Sequence, residues 1–431
     1  MNIHPTGELM NEKYRPQFHF TPIRNWMNDP NGLLYYKGKY HLFFQHNPQA
    51  NVWGNMSWGH AVSDDLYSWK ELPVAINCTP TSGIFSGSAV VDFENTSGFG
   101  TKENPPIVAI YTEHQNDESN QSQCLAYSVD EGLTFTKYEG NPVLDINLPN
   151  FRDPKVSWID GQWIMTLALP QEFKISFYSS PNLKEWTHVS DFGPAAEVGG
   201  IWECPDLFQL GDKWVLIVSL NPGGFQIGSG TQYFVGQWNG KEFIADDVQT
   251  RWIDYGRDNY AGVTFSNAPD NKRIFLGWMS NWDYAVKVPT DPWRSAMTVP
   301  RELSLHGNTL VQTPIEKPGG FPEVSFVTGN GSVKVFETQT RFVEVGVKDK
   351  KLFVDISNAW NEIDAPTIQK IEIGEVAIDI RVIVDRGSIE VFAAGGAISI
   401  TNLVWIETAF SSAKPQGAIT NLTLKGLKPS V

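Results

Sequence analysis

Apolar positions in this chain come in short runs, each ended by Gly, Asp, Asn or Pro, and none keeps a helical period over an appreciable length. YYKGKYHLFFQ (35–45), VSWIDGQWIMTLAL (156–169) and LFQLGDKWVLIVSL (207–220) each set two such runs around a turn, at Gly38, Asp160-Gly161 and Gly211-Asp212. β-Branched and aromatic residues flanking a short Gly-containing turn predict hairpins. A second phrase recurs after several strands: a serine, a turn and an aromatic. It reads from Ser63 to Trp69, from Ser180 to Trp186 and, more loosely, from Ser128 to Phe135. Two hairpins repeated every few tens of residues make four-stranded antiparallel units, which is the pattern of propeller blades. A large β-sandwich would also give many short strands, but the repeated hairpin-plus-aromatic phrase favours the propeller.

After Pro314 the texture changes. SVKVFETQTRFVEVGV, LFVDIS, IDIRVIVDRGSIEVF and AISITNLVW alternate apolar and polar residues at period two, as a sheet with one wet face does. The expected architecture is therefore all-β: a five-bladed β-propeller over residues 15–313, then a C-terminal β-sandwich over 322–431. Gly319-Gly320-Phe321-Pro322 lies near the join.

Composition narrows the partners. The chain has 16 Trp, 13 Tyr and 25 Phe, whose flat faces suit sugar rings and β-sheet cores alike. Its 33 Lys and Arg against 48 Asp and Glu give a net charge of −15, which argues against nucleic acid and anionic membrane surfaces. Cys78, Cys124 and Cys204 are too far apart for a zinc spacing or a disulfide framework. No apolar run reaches the length of a membrane span, so no membrane partner is expected. The polar start MNIHPTGELMNEKYRPQ lacks the apolar stretch of a signal peptide. The expected location is secreted or periplasmic if a leader has been removed, and cytoplasmic otherwise.

Three blade openings carry an acid one or two residues before a proline: Asn28-Asp29-Pro30, Arg152-Asp153-Pro154 and Glu203-Cys204-Pro205. Proline suits the start of a strand, where its missing N–H costs nothing. The first strand of each blade lines the central channel, so acids at equivalent positions would converge at one end of it. Clustered carboxylates raise one another's pKa, and such a cluster can serve a hard cation, a glycosidic bond, or merely three turns. Arg152 beside Asp153, and the indoles Trp26 and Trp202 beside the other two, favour sugar chemistry. The alternating Asp/Asn/Gly pattern of a calcium loop is missing, and no metal or other cofactor is expected.

At this point a resemblance becomes specific. WMNDPNG (26–32), WGNMSWGHAVSDDLYSW (53–69), FSGS (85–88), RDP (152–154), WECPD (202–206), GSGTQYFVG (228–236), DYGRDNYA (254–261) and LGWMSNWDYAVKVPTDPWRSAMTVPREL (276–303) follow in order. The chain resembles glycoside hydrolase family 32, the β-fructofuranosidases: invertases, exo-inulinases and levanases. The resemblance implies a five-bladed propeller, a β-sandwich and a retaining mechanism. It implies Asp29 as nucleophile on the anomeric carbon of a terminal fructosyl unit, Glu203 as general acid/base, and Asp153 as transition-state stabiliser. Carried over by position, Trp26, Asn28, Gln45, Trp53, Phe85, Ser86, Arg152, Asp254 and Trp278 would line the fructose pocket. Trp58 is expected in the blade core instead, Cys204 as packing beside Glu203, and His46 and His60 as strand-end hydrogen bonders. VDRGSIEVF (384–392) matches a phrase of the family's sandwich, expected to be structural.

The expected function is release of terminal fructose from levan, inulin or sucrose. An endo-acting fructanase or a fructosyltransferase would use the same acids, and a non-catalytic fructan-binding propeller is the alternative of another class. The expected partner is a fructose-containing oligo- or polysaccharide; a homo-oligomer is compatible with the sequence.

Overall fold

The structure is a computed structural model, described over residues 12–360, 363–374 and 376–430. Five antiparallel units follow one another, each built by meandering outward from an inner strand. Blade 1 runs through Asn25–Tyr36, Lys39–Asn47, Ser57–Ser63 and Trp69–Ile76. Blade 2 begins at Ser82–Val91, blade 3 at Arg152–Ile159, blade 4 at Ile201–Leu210 and blade 5 at Tyr260–Thr264. The blade 1 hairpin turns on Lys37-Gly38 and the blade 3 hairpin on Asp160-Gly161, with φ of 46° and 84°, and 48° and 84°. Positive φ at both central residues is the turn whose twist matches antiparallel strands.

The serine–turn–aromatic phrase joins the third and fourth strands of a blade. In blade 1 Asp65 accepts the backbone N–H groups of Tyr67 and Ser68, and Trp69 Nε1 donates to Leu66 O at 2.8 Å. In blade 3 Asn182 plays the same part and Trp186 Nε1 donates to Leu183 O at 2.9 Å. Blade contacts are apolar and cyclic. Phe43 and Trp58 of blade 1 pack on Ile84 and Ala109 of blade 2. Further apolar clusters join blades 2 and 3, 3 and 4, and 4 and 5, and Met27 and Phe44 meet Val263 and Ile274 to close the ring. Trp293–Arg294 adds parallel to Asn25–Tyr36 as a further clasp.

All five inner strands carry the same irregularity. Three steps along the inner strand oppose two along its neighbour at Met27 to Pro30, Ile84 to Gly87, Arg152 to Lys155, Glu203 to Asp206 and Tyr260 to Val263. Each is a β-bulge with one extra residue, a device that re-aims side chains. Asp153, Cys204 and Ala261 take positive φ (67°, 48° and 52°) to make it.

The C-terminal sheet is a sandwich made by strands that change layers. The first half of Glu323–Phe336 pairs with Ile378–Asp385, and its second half with Phe342–Lys348. Ser412–Lys425 follows both halves along the other edge. Register shifts between Ser325 and Asn330 mark the bend, the usual way a strand turns a sandwich corner. Helix among the described residues is limited to four 3₁₀ turns.

Sandwich and propeller are joined by buried charge. Arg301 of blade 5 donates to Asp254 at 3.0 Å and to Glu390 at 2.5 Å, and Asp254 also accepts from the backbone N–H and hydroxyl of Thr401. Glu390 continues to His19 Nε2 at 2.8 Å, and His19 Nδ1 meets Asp385 at 2.8 Å. The VDRGSIEVF phrase thus encodes two acids of an interdomain clamp. Burial opposes a charge on His19, but its hydrogen bonds to Asp385 and Glu390 outweigh that and raise its pKa to about 9. A histidine with a raised pKa stabilises fully below its unfolded value of about 6.5 and loses that contribution as pH rises through about 9. The thermal midpoint of the protein is expected to fall between pH 6.5 and 9.5 through a term on the order of 3 kcal/mol. The variant His19→Gln should flatten this slope; equal slopes in both proteins would refute the assignment.

Candidate active site

The bulges of blades 1 to 4 meet at one end of the channel, around a cavity of about 420 Å³. Asn28, Asp29, Gln45, Ser86, Arg152, Asp153 and Glu203 line it together with Trp53, Phe85, His114 and Trp282. Asp29 and Asp153 are buried; the Glu203 side chain is 18% exposed, which leaves it the most open of the three acids.

Asp29 is held from two sides. Ser86 Oγ donates to its Oδ2 at 2.6 Å, and Asn28 Nδ2 donates to its Oδ1 at 2.9 Å. Asn28 is in turn oriented by Trp26 Nε1, which donates to its Oδ1 at 2.7 Å. Asp153 Oδ2 accepts the Cys204 N–H at 3.0 Å, a contact made available by the left-handed backbone at Cys204. The Cys204 thiol lies 3.6 Å from both Asp29 and Asp153. Glu203 Oε1 accepts from Arg152 Nε and Nη2 at 3.1 and 2.9 Å, and its Oε2 accepts the Tyr260 hydroxyl. Asn150 and Gln121 brace Arg152 from behind.

Burial pushes the Asp29 carboxyl up; the Ser86 and Asn28 donors resist that, and the charge of Glu203 adds to it. Burial also raises Asp153, with Arg152 pulling it down and the other two acids pushing it up. The Tyr260 hydroxyl is raised by burial and then by Glu203, so it remains a donor. One guanidinium among three carboxyls leaves surplus negative charge. Such a cluster retains a proton more readily than an isolated carboxyl, which is the requirement for acid/base work near neutral pH.

Several expected positions move. Trp26 and Trp278 are fully buried in one cluster with Tyr260 and Met56, behind the cavity and not on its wall. The wall indole is Trp282, four residues beyond Trp278, stacked on Trp26 at 5.9 Å. Trp278 lies within the strand Ile274–Met279, whereas Trp282 lies on the loop that follows and is free to turn inward. Asp254 lies away from the cavity: its carboxylate is spent on Arg301, Thr401, Asn259 and the Gly256 N–H at the interdomain seam. Trp53 is 48% exposed and meets Phe85 edge-on at 6.0 Å; Phe85 stacks on His114 at 4.3 Å. Tyr260, His114, Gln121, Asn150 and Trp282 are the residues that reading the chain did not single out. Tyr260 falls within the DYGRDNYA run, and in the fold it stands just before its blade's bulge, where Glu203 stands in blade 4. Trp58 is in the core as expected, its Nε1 donating to Phe85 O at 3.0 Å.

Comparison with known proteins agrees across both domains. Residues 19–314 match the model of the glycosyl hydrolases family 32 N-terminal domain, and 323–424 that of the family 32 C-terminal domain. A levanase of Bacillus subtilis is 43% identical over 91% of this chain, and an extracellular exo-inulinase of Aspergillus niger 45% identical over 71%. The chain spans about two thirds of the length of these relatives, 66% and 65%. The crystal structure of an exo-inulinase from Aspergillus awamori superposes with a TM-score of 0.87 at 35% identity, covering 96% of both chains. The chain belongs to glycoside hydrolase family 32.

Proposed function

We propose that this protein is a retaining exo-acting β-fructosidase. The observation that carries the reading is the division of labour among the three acids. Asp29 is buried, receives donors on both oxygens and has a fixed orientation, as a nucleophile needs. Glu203 is the acid most open to solvent, so it exchanges protons with the leaving group and with water.

In the first step an Asp29 oxygen attacks C2 of a terminal fructosyl unit. The C2–O bond to the rest of the substrate breaks, and Glu203 gives its proton to the departing oxygen. In the second step Glu203 takes a proton from water. The water oxygen bonds to C2, the fructosyl–Asp29 ester breaks and fructose leaves. Splitting one displacement into two preserves configuration at C2. Asp153 and Arg152 hold sugar hydroxyls and balance charge as C2 becomes cationic, while Trp53, Phe85 and Trp282 exclude water. The extracellular naming of the exo-inulinase relative supports a secreted location.

Incubation with levan, inulin and sucrose in parallel tests the mode of action. Fructose is expected as the sole early product from the two polymers. A ladder of oligosaccharides would replace the exo reading by an endo one, and products longer than the substrate would indicate a transferase.

A further inference from the structure

The inner strands that bring their bulges to the catalytic pocket have a second end. Five residues beyond Ser86, Asp153 and Ala261 lie Val91, Trp158 and Ser266, roughly 17 Å away at strand rise. These three line another cavity, of about 370 Å³, at the opposite mouth of the channel. Two large aromatics on its lining are uncovered: Trp158 is 46% exposed and Phe93 51%. Trp158 is set edge-on by the buried Trp163 at 4.8 Å, and Trp163 is anchored through Nε1 to Thr96 Oγ1 at 2.8 Å. The lining is also polar. Arg273 lies over the Phe208 ring, reaches Thr264 Oγ1 only at 3.5 Å, and keeps a buried Nε with no hydrogen-bond partner.

We propose that this rear mouth is a second carbohydrate site, holding a neutral stretch of the fructan chain whose end enters the catalytic pocket. That the sugar is a fructan rests on the function proposed above. The chemistry of the site rests on its own residues. The aromatic faces of Trp158 and Phe93 stand on the same lining as the polar side chains of Ser157, Ser266, Asn267 and Arg273, a mixture that a purely apolar partner would leave unpaired and a polyol would match. An anion would meet Asp92 and Glu94 on the same lining, on a chain of net charge −15. A sugar ring offers what remains: an apolar face for Trp158 or Phe93 and hydroxyls for Arg273. Such a site tethers a polymer and leaves short substrates unaffected.

Native electrophoresis through gels containing levan tests this, in a Glu203→Gln background so that the polymer survives. Adding Trp158→Ala is expected to weaken retardation about three- to tenfold in apparent Kd. Phe93→Ala, also at an exposed position, should act in the same direction. With Glu203 intact, Trp158→Ala should leave kcat/KM on sucrose unchanged. Equal retardation with and without Trp158 overturns the site. So does a fall from dimer to monomer on Trp158→Ala by light scattering, which would make this face a protein interface. Trp158-dependent retardation by a wild-type protein that hydrolyses no fructan would instead sink the reading of the catalytic pocket and leave the rear site standing.

Discussion

Asp29→Asn is expected to lower kcat on sucrose or levan by a factor on the order of 10⁴ to 10⁶, the scale seen when a covalent nucleophile is removed. Glu203→Gln should cost about 10² to 10⁴, the range for general acid/base groups. The two losses differ in kind as well as size. Added azide can replace water in the second step once the fructosyl ester has formed, so with an aryl β-fructoside, whose leaving group departs without a proton, it should restore turnover in Glu203→Gln and yield a β-fructosyl azide. In Asp29→Asn azide can only attack directly, from the face the carboxylate occupied, and the product should have inverted configuration. A β product from Asp29→Asn would refute the nucleophile assignment. Misfolding is separable from this outcome. Burial raises the Asp29 pKa, so carrying its charge at neutral pH costs stability. The inactive Asn variant should therefore unfold no earlier than wild type.

Arg301→Met is expected to destabilise the protein by about 3–5 kcal/mol in urea unfolding, with little effect on the pocket itself. Arg301 is fully buried, and its removal leaves the buried Asp254 without a counter-charge and Glu390 with His19 alone. Arg301→Lys should recover only part of the loss. A single ammonium cannot reproduce the fork that reaches Asp254 and Gln312 with one nitrogen and Glu390 and Thr401 with the other. Wild-type stability in Arg301→Met would show that the apolar contacts between the domains hold them without the clamp. Those contacts are substantial, since Met279, Tyr284 and Trp293 of the propeller share a core with Trp405 and Ile406 of the sandwich.

Much of this was legible in the chain for a physical reason: hairpin turns and period-two alternation are local, so blades and sandwich strands announce themselves. The acids were legible because each stands one or two residues before a proline. Their alignment was only approximate. Measured from the bulge, Glu203 precedes it, Asp153 is its first residue and Asp29 its second. Register is a relation between two strands, and a proline in one of them does not report it. Blade 2 shows the same limit from the other side. Its bulge holds Phe85 and Ser86, with no acid and no proline, and only the family resemblance drew those residues in. Trp278 and Asp254 were misplaced because a motif gives proximity along the chain, whereas pocket membership depends on which way a side chain turns. The layer change within Glu323–Phe336 was hidden too, since alternation shows that a face is buried but not which partner buries it.

The extra residue in each inner strand has a consequence for parity. Side chains of a strand point alternately to its two faces, so an insertion of one residue exchanges the faces for everything beyond it. In Arg152–Ile159 the acid therefore obeys one phase, and Val156, packed between blades 2 and 3, obeys the other. In four of the five inner strands the two ends are therefore out of step, whereas in Asn25–Tyr36 a second bulge between Asn31 and Leu34 restores the phase. Deleting Cys204, the smallest possible lesion at the bulge, would bring blade 4 back into step. Leu207, now in the apolar layer against blade 3, would exchange faces with Phe208, which packs toward blade 5. The residue count between pocket and core is thus as binding a constraint as the identity of the acids.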